Sequence, residues 1–301
     1  MTCFRPIQAY SGGALTPSGK KLISFGAIPH DFVDRFERLD LPCGSCVGCR
    51  LERSRQWAVR IMHEASTHAD NCFVTLSYSD DNLPENNSLV VEDYQKFMKR
   101  LRYRFPRSVD NGIRFFHCGE YSPKTGRPHY HAILFNFDFP DRKFLKMSKS
   151  GFPIDTSEIC DDVWNLGHCF IGDVSFGSAA YVARYIVDKV NGDDAVKRYC
   201  DKETGEVIKP EYVTMSRRPG VGKKWFDKYG SDVYPSDNVI VKGMRARPPR
   251  YYDSLIEEEL LAKMKAKRKV KAEKYSDDQT PRRLREREKV RLAELNMFKR
   301  S

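Results

Sequence analysis

One strand–turn–strand pattern constrains the fold of this chain more than any other feature of its sequence. Residues 113–119 and 129–137 are rich in β-branched and aromatic residues, and the cluster S-P-K-T-G-R-P lies between them. Proline, glycine and small polar residues favour a tight reversal of the chain. We therefore predict that the two segments pair as an antiparallel hairpin.

The segments around the hairpin alternate between helix and strand periodicity. We predict helices at residues 51–67, 91–105, 157–166 and 178–190, and further strands at residues 72–78 and 169–174. From residue 72 onward the order is β-α-β-β-α-β-α, which is the split βαβ order. The predicted fold class is therefore α+β, a ferredoxin- or RRM-like antiparallel sheet with helices on one face. Ser178 is the predicted N-cap of the last helix.

Charge is distributed unevenly along the chain. Of the 301 residues, 52 are Lys or Arg and 41 are Asp or Glu, a formal net charge of +11. Residues 261–301 contain 15 basic and 6 acidic residues, so they account for +9 of this excess. This composition predicts a helical basic C-terminal tail, either a solvated or disordered arm or a phosphate-binding one. The predicted segments are an N-terminal part at 1–70, a central domain at 71–253 and the tail at 254–301.

Composition also excludes several classes of protein. The mean hydropathy is −0.60, and no run of 18 apolar residues occurs, so we expect no membrane span. The first forty residues lack the apolar core of a signal peptide. Nine cysteines, an odd number, then favour reduced thiols and metal sites over a disulfide scaffold. We expect a cytoplasmic protein.

The second strand of the hairpin carries two histidines. His129 and His131 are two residues apart and therefore lie on one face of the sheet. With a turn of four residues at 123–126, Glu120 lies opposite His129, and Cys118 lies opposite His131. Opposed residues share a face, so Glu120 and the two histidines form a three-ligand group suited to Mn²⁺ or Mg²⁺. A sheet end that merely happens to hold two histidines is the simpler alternative.

Two tyrosines share one face of the last predicted helix. Tyr181, Tyr185 and Lys189 follow one another at intervals of four residues. Packing explains most tyrosine pairs of this spacing, but beside a metal-bound phosphate a phenol can act as a nucleophile. We take Tyr181 and Tyr185 as candidate nucleophiles. Arg184 and Lys189 are candidates for offsetting phosphate charge, and Arg127 is a further candidate phosphate contact.

A third constellation is the C-x₂-C-x₂-C pattern of Cys43, Cys46 and Cys49. Three thiols this close together are typical of a structural zinc site, which has four ligands. An iron–sulfur cluster is a minor alternative, because no fourth cysteine follows at ferredoxin spacing. The candidates for the fourth ligand are Cys3, which is the best of them, and His63, His68 and Cys72.

Taken together, F-V-T-L-S-Y, G-E-Y…G-R-P-H-Y-H-A-I-L-F and Y-V-A-R-Y-I-V-D-K resemble the three motifs of HUH-type rolling-circle replication initiators. The pattern is most similar to the initiators of the Microviridae, particularly the gokushovirus branch. The segments P-C-G-x-C-x-x-C-R and R-P-P-R-Y-Y-D share this similarity, so the resemblance covers about residues 43–253. Tyr130 departs from the family pattern, which usually has a bulky apolar residue between the histidines.

The resemblance implies a function and a set of partners. The family nicks and rejoins single-stranded DNA at an origin through a 5′-phosphotyrosine intermediate. It implies metal binding by Glu120, His129 and His131, and nucleophilic attack by Tyr181 or Tyr185. The implied partners are single-stranded or supercoiled viral origin DNA and a host helicase and DNA polymerase, all in the bacterial cytoplasm.

Two alternatives from other classes remain at this point. One is a zinc-containing nucleic-acid-binding protein without catalysis, and the other is a metal-dependent nuclease or nucleotide hydrolase without covalent chemistry. A hydrolase with three alternating histidines is disfavoured because Ile133 occupies the third position. Further basic residues are predicted DNA contacts: Arg102, Arg104, Arg107, Lys124, Arg217, Arg218, Lys223 and Lys224.

Overall fold

The structure is a computed structural model that describes residues 3–15, 21–26, 36–108, 111–148, 151–184, 199–200, 205, 207–234, 236–241 and 243–298. The chain forms two compact units. The first unit combines Met1–Glu52 with Glu259–Ser301, and the second is Arg53–Glu258.

Strands and helices alternate through the described residues. The strands are β1 (Ile7–Leu15), β2 (Lys21–Phe25), β3 (Phe36–Leu41), β4 (Asn71–Tyr78), β5 (Arg114–Tyr121), β6 (Pro128–Phe135), β7 (Lys143–Met147), β8 (Pro153–Thr156), β9 (Gly167–Asp173), β10 (Tyr212–Met215), β11 (Val239–Val241) and β12 (Met244–Ala246). The helices are α1 (Val47–Ala65), α2 (Val91–Arg104), α3 (Glu158–Trp164), α4 (Phe176–Arg184), α5 (Lys223–Val233), α6 (Arg250–Asp253), α7 (Glu258–Glu273) and α8 (Pro281–Phe298). Within the described residues, none of these helices has the length and apolar character that crossing a membrane requires.

The second unit is built on an antiparallel sheet. The described strands of this sheet follow the order β10-β5-β6-β4-β9-β8-β7, and all neighbours are antiparallel. The α+β class and the predicted order from β4 to α4 are confirmed. The edge strands β7, β8 and β10 lie outside that prediction. Because β7 is exposed along its whole length, it carries no alternation of apolar and polar residues that would reveal a strand.

Helices cover both faces of this sheet. On one face, Phe97 of α2 and Trp164 of α3 belong to the main core. On the other face, Ile61 of α1 and Val182 of α4 pack with Phe116 of β5. The prediction of helices on one face is therefore corrected. The physical reason is that β5 and β6 are buried almost throughout, and strands buried on both sides need a cover on each.

The β5–β6 hairpin has the predicted register. Glu120 pairs with His129, and Cys118 pairs with His131. Gly126 adopts a φ of +66° in the turn, a left-handed conformation that glycine adopts without the strain a Cβ would cause. The local turn sequence therefore decides which face Glu120 occupies.

The first unit contains a small sheet and the basic tail. The sheet, with order β2-β1-β3, is not predicted from the sequence. The two basic helices are confirmed as α7 and α8, but they do not form a free arm. Met264 and Leu284 are buried, and Arg5 Nε lies 2.9 Å from Glu288 Oε2. The expectation of a solvated or disordered arm is corrected, because even these short apolar patterns find partners.

Helix α4 begins two residues earlier than predicted. The hydroxyl of Ser175 accepts a hydrogen bond from Ser178 N–H at 3.1 Å, and Ser175 therefore caps the helix in place of Ser178. The predicted continuation of this helix to residue 190 contains Tyr185 and Lys189, which lie outside the described residues.

Candidate metal and nucleophile site

Three side chains of the hairpin converge on one face of the sheet. Glu120 comes from β5, and His129 and His131 come from β6. We call these three residues the metal group, since their ligand atoms all lie within 4.8 Å of one another and could hold a metal ion. Nε2 of His131 lies 2.5 Å from Oε1 of Glu120, and Nε2 of His129 lies 3.2 Å from the same oxygen. Mixed nitrogen and oxygen ligands of this kind suit Mn²⁺ or Mg²⁺.

Burial and hydrogen bonding together set the charge of the metal group. Burial of Glu120 opposes its ionisation, but the hydrogen bonds from His129 and His131 outweigh it and lower the pKa of Glu120 to about 2. Burial likewise lowers the pKa of His131, which favours the neutral imidazole that binds metals. Burial also acts downward on the pKa of His129, but Glu120 outweighs it and raises that pKa. An ionised carboxylate thus faces the point where a cation would lie.

The outer nitrogens of both imidazoles also have partners. Nδ1 of His129 lies 3.2 Å from the carbonyl oxygen of Arg127. A carbonyl oxygen only accepts, so Nδ1 carries a proton and Nε2 is directed at the metal group. Nδ1 of His131 lies 2.9 Å from Oγ1 of Thr75, which is 56 residues away in the chain. Contacts of this kind orient metal-binding histidines, and the sequence does not reveal Thr75 because the pairing of β4 with β6 is long-range.

Helix α4 places Tyr181 against the metal group. The Tyr181 hydroxyl lies 3.4 Å from Oε1 of Glu120 and 3.4 Å from Nε2 of His131. The rings of Tyr181 and His131 meet edge to face at 5.1 Å. The next residue, Val182, is buried in the core between α4 and the sheet and anchors the helix there. The structure therefore brings the first predicted nucleophile next to the three predicted metal ligands.

The other predicted site residues are placed differently. Tyr185 and Lys189 lie outside the described residues, and so does the side chain of Arg184. Arg127 lies at the hairpin turn, where its guanidinium pairs with Asp80. Its backbone carbonyl, and not its charge, contacts the metal group.

A cleft of about 750 Å³ opens beside the metal group. His131 and Tyr181 line one end of it, and Lys146, Phe152 and Phe170 line the rest. Exposed aromatic rings next to a cation are suited to bases and phosphates of a single nucleic-acid strand. The metal group therefore has room for a substrate beside it.

The chain is similar to phage replication proteins over most of its length. The family model for the replication-associated protein ORF2 family matches residues 71–190. The replication-associated protein VP4 of Bdellovibrio phage phiMH2K is 33% identical over 291 residues, which is 92% of this chain and 86% of that protein. The chain belongs to the phage replication-associated proteins.

Two further relatives extend this comparison. The replication-associated protein ORF2 of Spiroplasma virus 4 is 34% identical over 275 residues, which is 86% of this chain and 81% of that protein. The replication-associated protein ORF4 of Chlamydia phage 1 is 29% identical over 222 residues, which is 72% of this chain and 53% of that protein. The predicted resemblance to Microviridae replication initiators is thereby confirmed. No solved structure matches this replication-associated protein significantly.

The first unit of this replication-associated protein contains a second candidate metal site. Cys3, Cys43, Cys46 and Cys49, which we call the thiol group, have sulfur atoms that all lie within 4.8 Å of one another. The Cys43 sulfur lies 3.6 Å from that of Cys3 and 4.0 Å from that of Cys49. Four sulfur ligands at this separation suit a tetrahedral zinc site. Of the four candidates for the fourth ligand, the structure places Cys3 there.

The three alternatives to Cys3 have other surroundings. Nδ1 of His63 lies 2.8 Å from the Tyr252 hydroxyl. Cys72 is buried in the main core of the sheet, and Nε2 of His68 lies 3.7 Å from Glu64.

Backbone N–H groups surround the thiol group. The Cys43 sulfur accepts from Cys46 N–H at 3.3 Å, and the Cys46 sulfur accepts from Phe4 N–H at 3.3 Å. Burial raises the pKa of the Cys43 thiol, but the N–H groups of Cys46 and Ser45 outweigh it and lower the pKa to about 6. Donors of this kind stabilise the thiolate, which is the form that binds metal.

Proposed function

We propose that this protein nicks and rejoins single-stranded DNA at a phage origin through a covalent bond to Tyr181. One observation supports this above all: the Tyr181 hydroxyl lies 3.4 Å from two members of the metal group. A phosphate bound there would have the phenol within reach of its phosphorus. The membership of a replication-associated family is consistent with DNA as the substrate.

In the proposed step, the Tyr181 oxygen attacks the phosphorus of one phosphodiester. The bond between Oη and phosphorus forms, the bond from phosphorus to the 3′ oxygen breaks, the phenol loses its proton and the 3′ oxygen gains one. The products are a 5′-phosphotyrosine ester and a free 3′-OH. Glu120, His129 and His131 would hold Mg²⁺ or Mn²⁺, whose charge polarises the phosphate. The reverse step rejoins the strand because the ester retains the phosphodiester bond energy.

The other components of the proposal complete a cycle. Tyr185, four residues after Tyr181, would act as the second nucleophile while the first is occupied. The free 3′-OH would prime a host DNA polymerase, and a host helicase would separate the strands in the bacterial cytoplasm. A zinc ion held by the thiol group would be structural, since four protein ligands leave no open position.

The test is a search for a covalent adduct. Full-length protein is incubated with Mn²⁺ and with 3′-labelled single-stranded oligonucleotides that tile both strands of the phage genome. We expect a denaturation-resistant protein–DNA adduct with oligonucleotides from one region, dependent on Mn²⁺, and a peptide map that places the DNA on Tyr181 or Tyr185. The double variant Tyr181→Phe, Tyr185→Phe should form none, whereas Tyr229→Phe should behave like the wild type.

Two outcomes would overturn the proposal. Cleavage without an adduct would identify a metal-dependent nuclease that activates water. DNA binding with neither cleavage nor adduct on any oligonucleotide would identify a non-catalytic nucleic-acid-binding protein.

A further inference from the structure

A second cleft lies at the other end of β5. Its volume is about 760 Å³. Arg114, the first residue of β5, lines this cleft, and Glu120 lies six residues further along the strand. At about 3.4 Å per residue the two are roughly 20 Å apart. The second cleft is therefore separate from the metal group, and the proposed nicking step makes no use of it.

The second cleft is strongly basic. The described residues that line it include six cations and no carboxylate: Arg102, Arg107, Arg114, Arg217, Arg218 and Lys224. Arg107, Arg217 and Arg218 are exposed, and no carboxylate of the described residues forms an ion pair with any of these three. Unbalanced charge in a concave surface attracts a polyanion.

A buried ion pair fixes the shape of this cleft. Nε of Arg114 lies 2.6 Å from Oε1 of Glu64, and both side chains are buried. The same guanidinium donates to the carbonyl oxygens of Pro219 at 2.6 Å and of Arg218 at 3.4 Å. The other Glu64 oxygen accepts from Gly222 N–H at 2.6 Å. Glu64 thus neutralises Arg114 and braces the loop that presents the exposed arginines.

Aromatic surface accompanies the charge. Phe105 and Phe115 line the cleft and are half-buried. The Arg102 guanidinium lies 5.8 Å from the Phe115 ring centre, and its Nη2 donates to the carbonyl of Ile113 at 2.9 Å. A basic groove with aromatic rings is typical of proteins that bind single-stranded nucleic acid, because unpaired bases stack on the rings. A duplex offers no base faces to such a wall.

We propose that the second cleft binds the sugar-phosphate backbone of single-stranded DNA beyond the site of nicking. A strand that fills both sites spans roughly 20 Å, which is about six phosphates at the 3.4 Å spacing of a stacked strand. The cleft holds the flanking strand while the metal group acts on the scissile phosphate. The choice of DNA as ligand rests on the proposed function, whereas the binding itself requires no nicking.

The test is a titration of a labelled oligothymidine of about 20 nucleotides, long enough to cover both sites, in EDTA and over a series of KCl concentrations. The variant Arg107→Gln, Arg217→Gln is compared with Lys99→Gln, Lys228→Gln, which removes the same charge from exposed positions outside the cleft. We expect the cleft variant to bind about tenfold more weakly, with a salt dependence reduced by about 1.4, since each lost phosphate contact removes about 0.7 from the slope. The outside variant should retain the wild-type salt slope.

Several outcomes decide the proposal. Equal losses in the two variants would overturn it, since bulk charge would then explain the binding. A loss confined to a duplex of the same length would overturn the assignment to single strands. If the double cleft variant does not fold, Arg218→Gln replaces it and should lower the slope by about 0.7. Because EDTA prevents metal-dependent nicking, absence of an adduct would overturn the proposed function and leave this result intact, and the reverse also holds.

Discussion

At the scale of single residues, the contact between Thr75 and His131 offers the sharpest test of the metal group. The variant Thr75→Val keeps the shape of the side chain and removes the oxygen that lies 2.9 Å from Nδ1 of His131. We expect the affinity for Mn²⁺ to fall about tenfold, the lower end for loss of an outer partner of a metal-binding histidine. Titration calorimetry of the purified protein with Mn²⁺ measures it.

The same sheet provides a matched comparison for this change. Oγ1 of Thr214 lies 2.8 Å from Nδ1 of His117, a buried histidine that is not part of the metal group. Thr214→Val therefore also removes a threonine–histidine contact, and it should leave Mn²⁺ affinity unchanged. Equal Mn²⁺ affinities in the Thr75 variant and the wild type would show that Thr75 does not orient His131.

A second residue, Glu64, links stability to pH. Burial raises the pKa of this carboxyl, but His68, Arg114 and the Gly222 N–H outweigh it and lower the pKa. Its folded pKa thus lies below its unfolded one, so the stabilisation is complete above about pH 4.3 and is lost as the pH falls through the folded pKa. Glu64→Gln leaves Arg114 buried without its counter-charge, and the free energy of unfolding should fall by about 3 kcal/mol at neutral pH.

Denaturant titrations at neutral and acidic pH measure this effect of Glu64. The gap between wild type and Glu64→Gln should narrow as the solution is acidified, because the wild-type carboxylate then also loses its charge. Glu85→Gln, at an exposed position, should differ from the wild type by less than about 0.5 kcal/mol. A gap that stays constant down to strongly acidic pH would contradict the assignment of the ionised carboxylate.

Sequence reasoning reaches some of these residues and not others. Glu120, His129 and His131 could be predicted together because a local turn sequence sets the register of the hairpin. Thr75 and the pair of Glu64 with Arg114 could not, because each depends on elements that meet only after the sheet has formed. Long-range neighbours leave no periodic signal in one sequence.

At the scale of elements, the packing between β5 and β10 is tight enough to predict a specific sensitivity. A Cβ added at Gly119 would lie 2.8 Å from the ring of Tyr212 and 3.0 Å from Leu89. Gly119→Ala should therefore lower the free energy of unfolding by about 1–3 kcal/mol, the usual effect of overpacking a core. Gly172→Ala in β9 would meet only ordinary contacts of 3.7 Å or more, and its unfolding curve should nearly overlay that of the wild type. Equal stability of the two variants would contradict the close packing at β10.

The elements themselves were predictable where burial alternates. In β4, buried and half-buried residues alternate along the whole strand, and α2 buries four residues on one stripe. β2 has no buried position among its five residues, and β7 is exposed throughout. Strands of this kind are held by backbone pairing with a neighbour, so neither strand reveals itself through its own side chains.

At the scale of the whole molecule, the basic tail belongs to a folded unit. The three predicted segments stay a prediction about how the chain folds, but α7 and α8 lie in one compact unit with the N-terminal strands. Lys269 Nζ lies 2.9 Å from Glu37 Oε1, and Arg5 pairs with Glu288. Part of the tail charge is therefore balanced inside this unit. Only its exposed, unpaired cations are suited to phosphate binding.

Charge removal and truncation of this tail should accordingly have different consequences. The variant Lys265→Gln, Lys267→Gln, Lys271→Gln changes exposed residues that form no ion pair within the described chain. We expect the salt slope of single-stranded DNA binding to fall by about 2.1, or 0.7 for each lost contact, with unchanged melting temperature and unchanged nicking of a short strand at high protein concentration. Deletion of residues 261–301 removes buried Met264 and Leu284 and should also lower the melting temperature of the first unit. A wild-type salt slope in the triple variant would exclude the tail from phosphate binding, and an unaltered melting profile after deletion would contradict its packing in the unit.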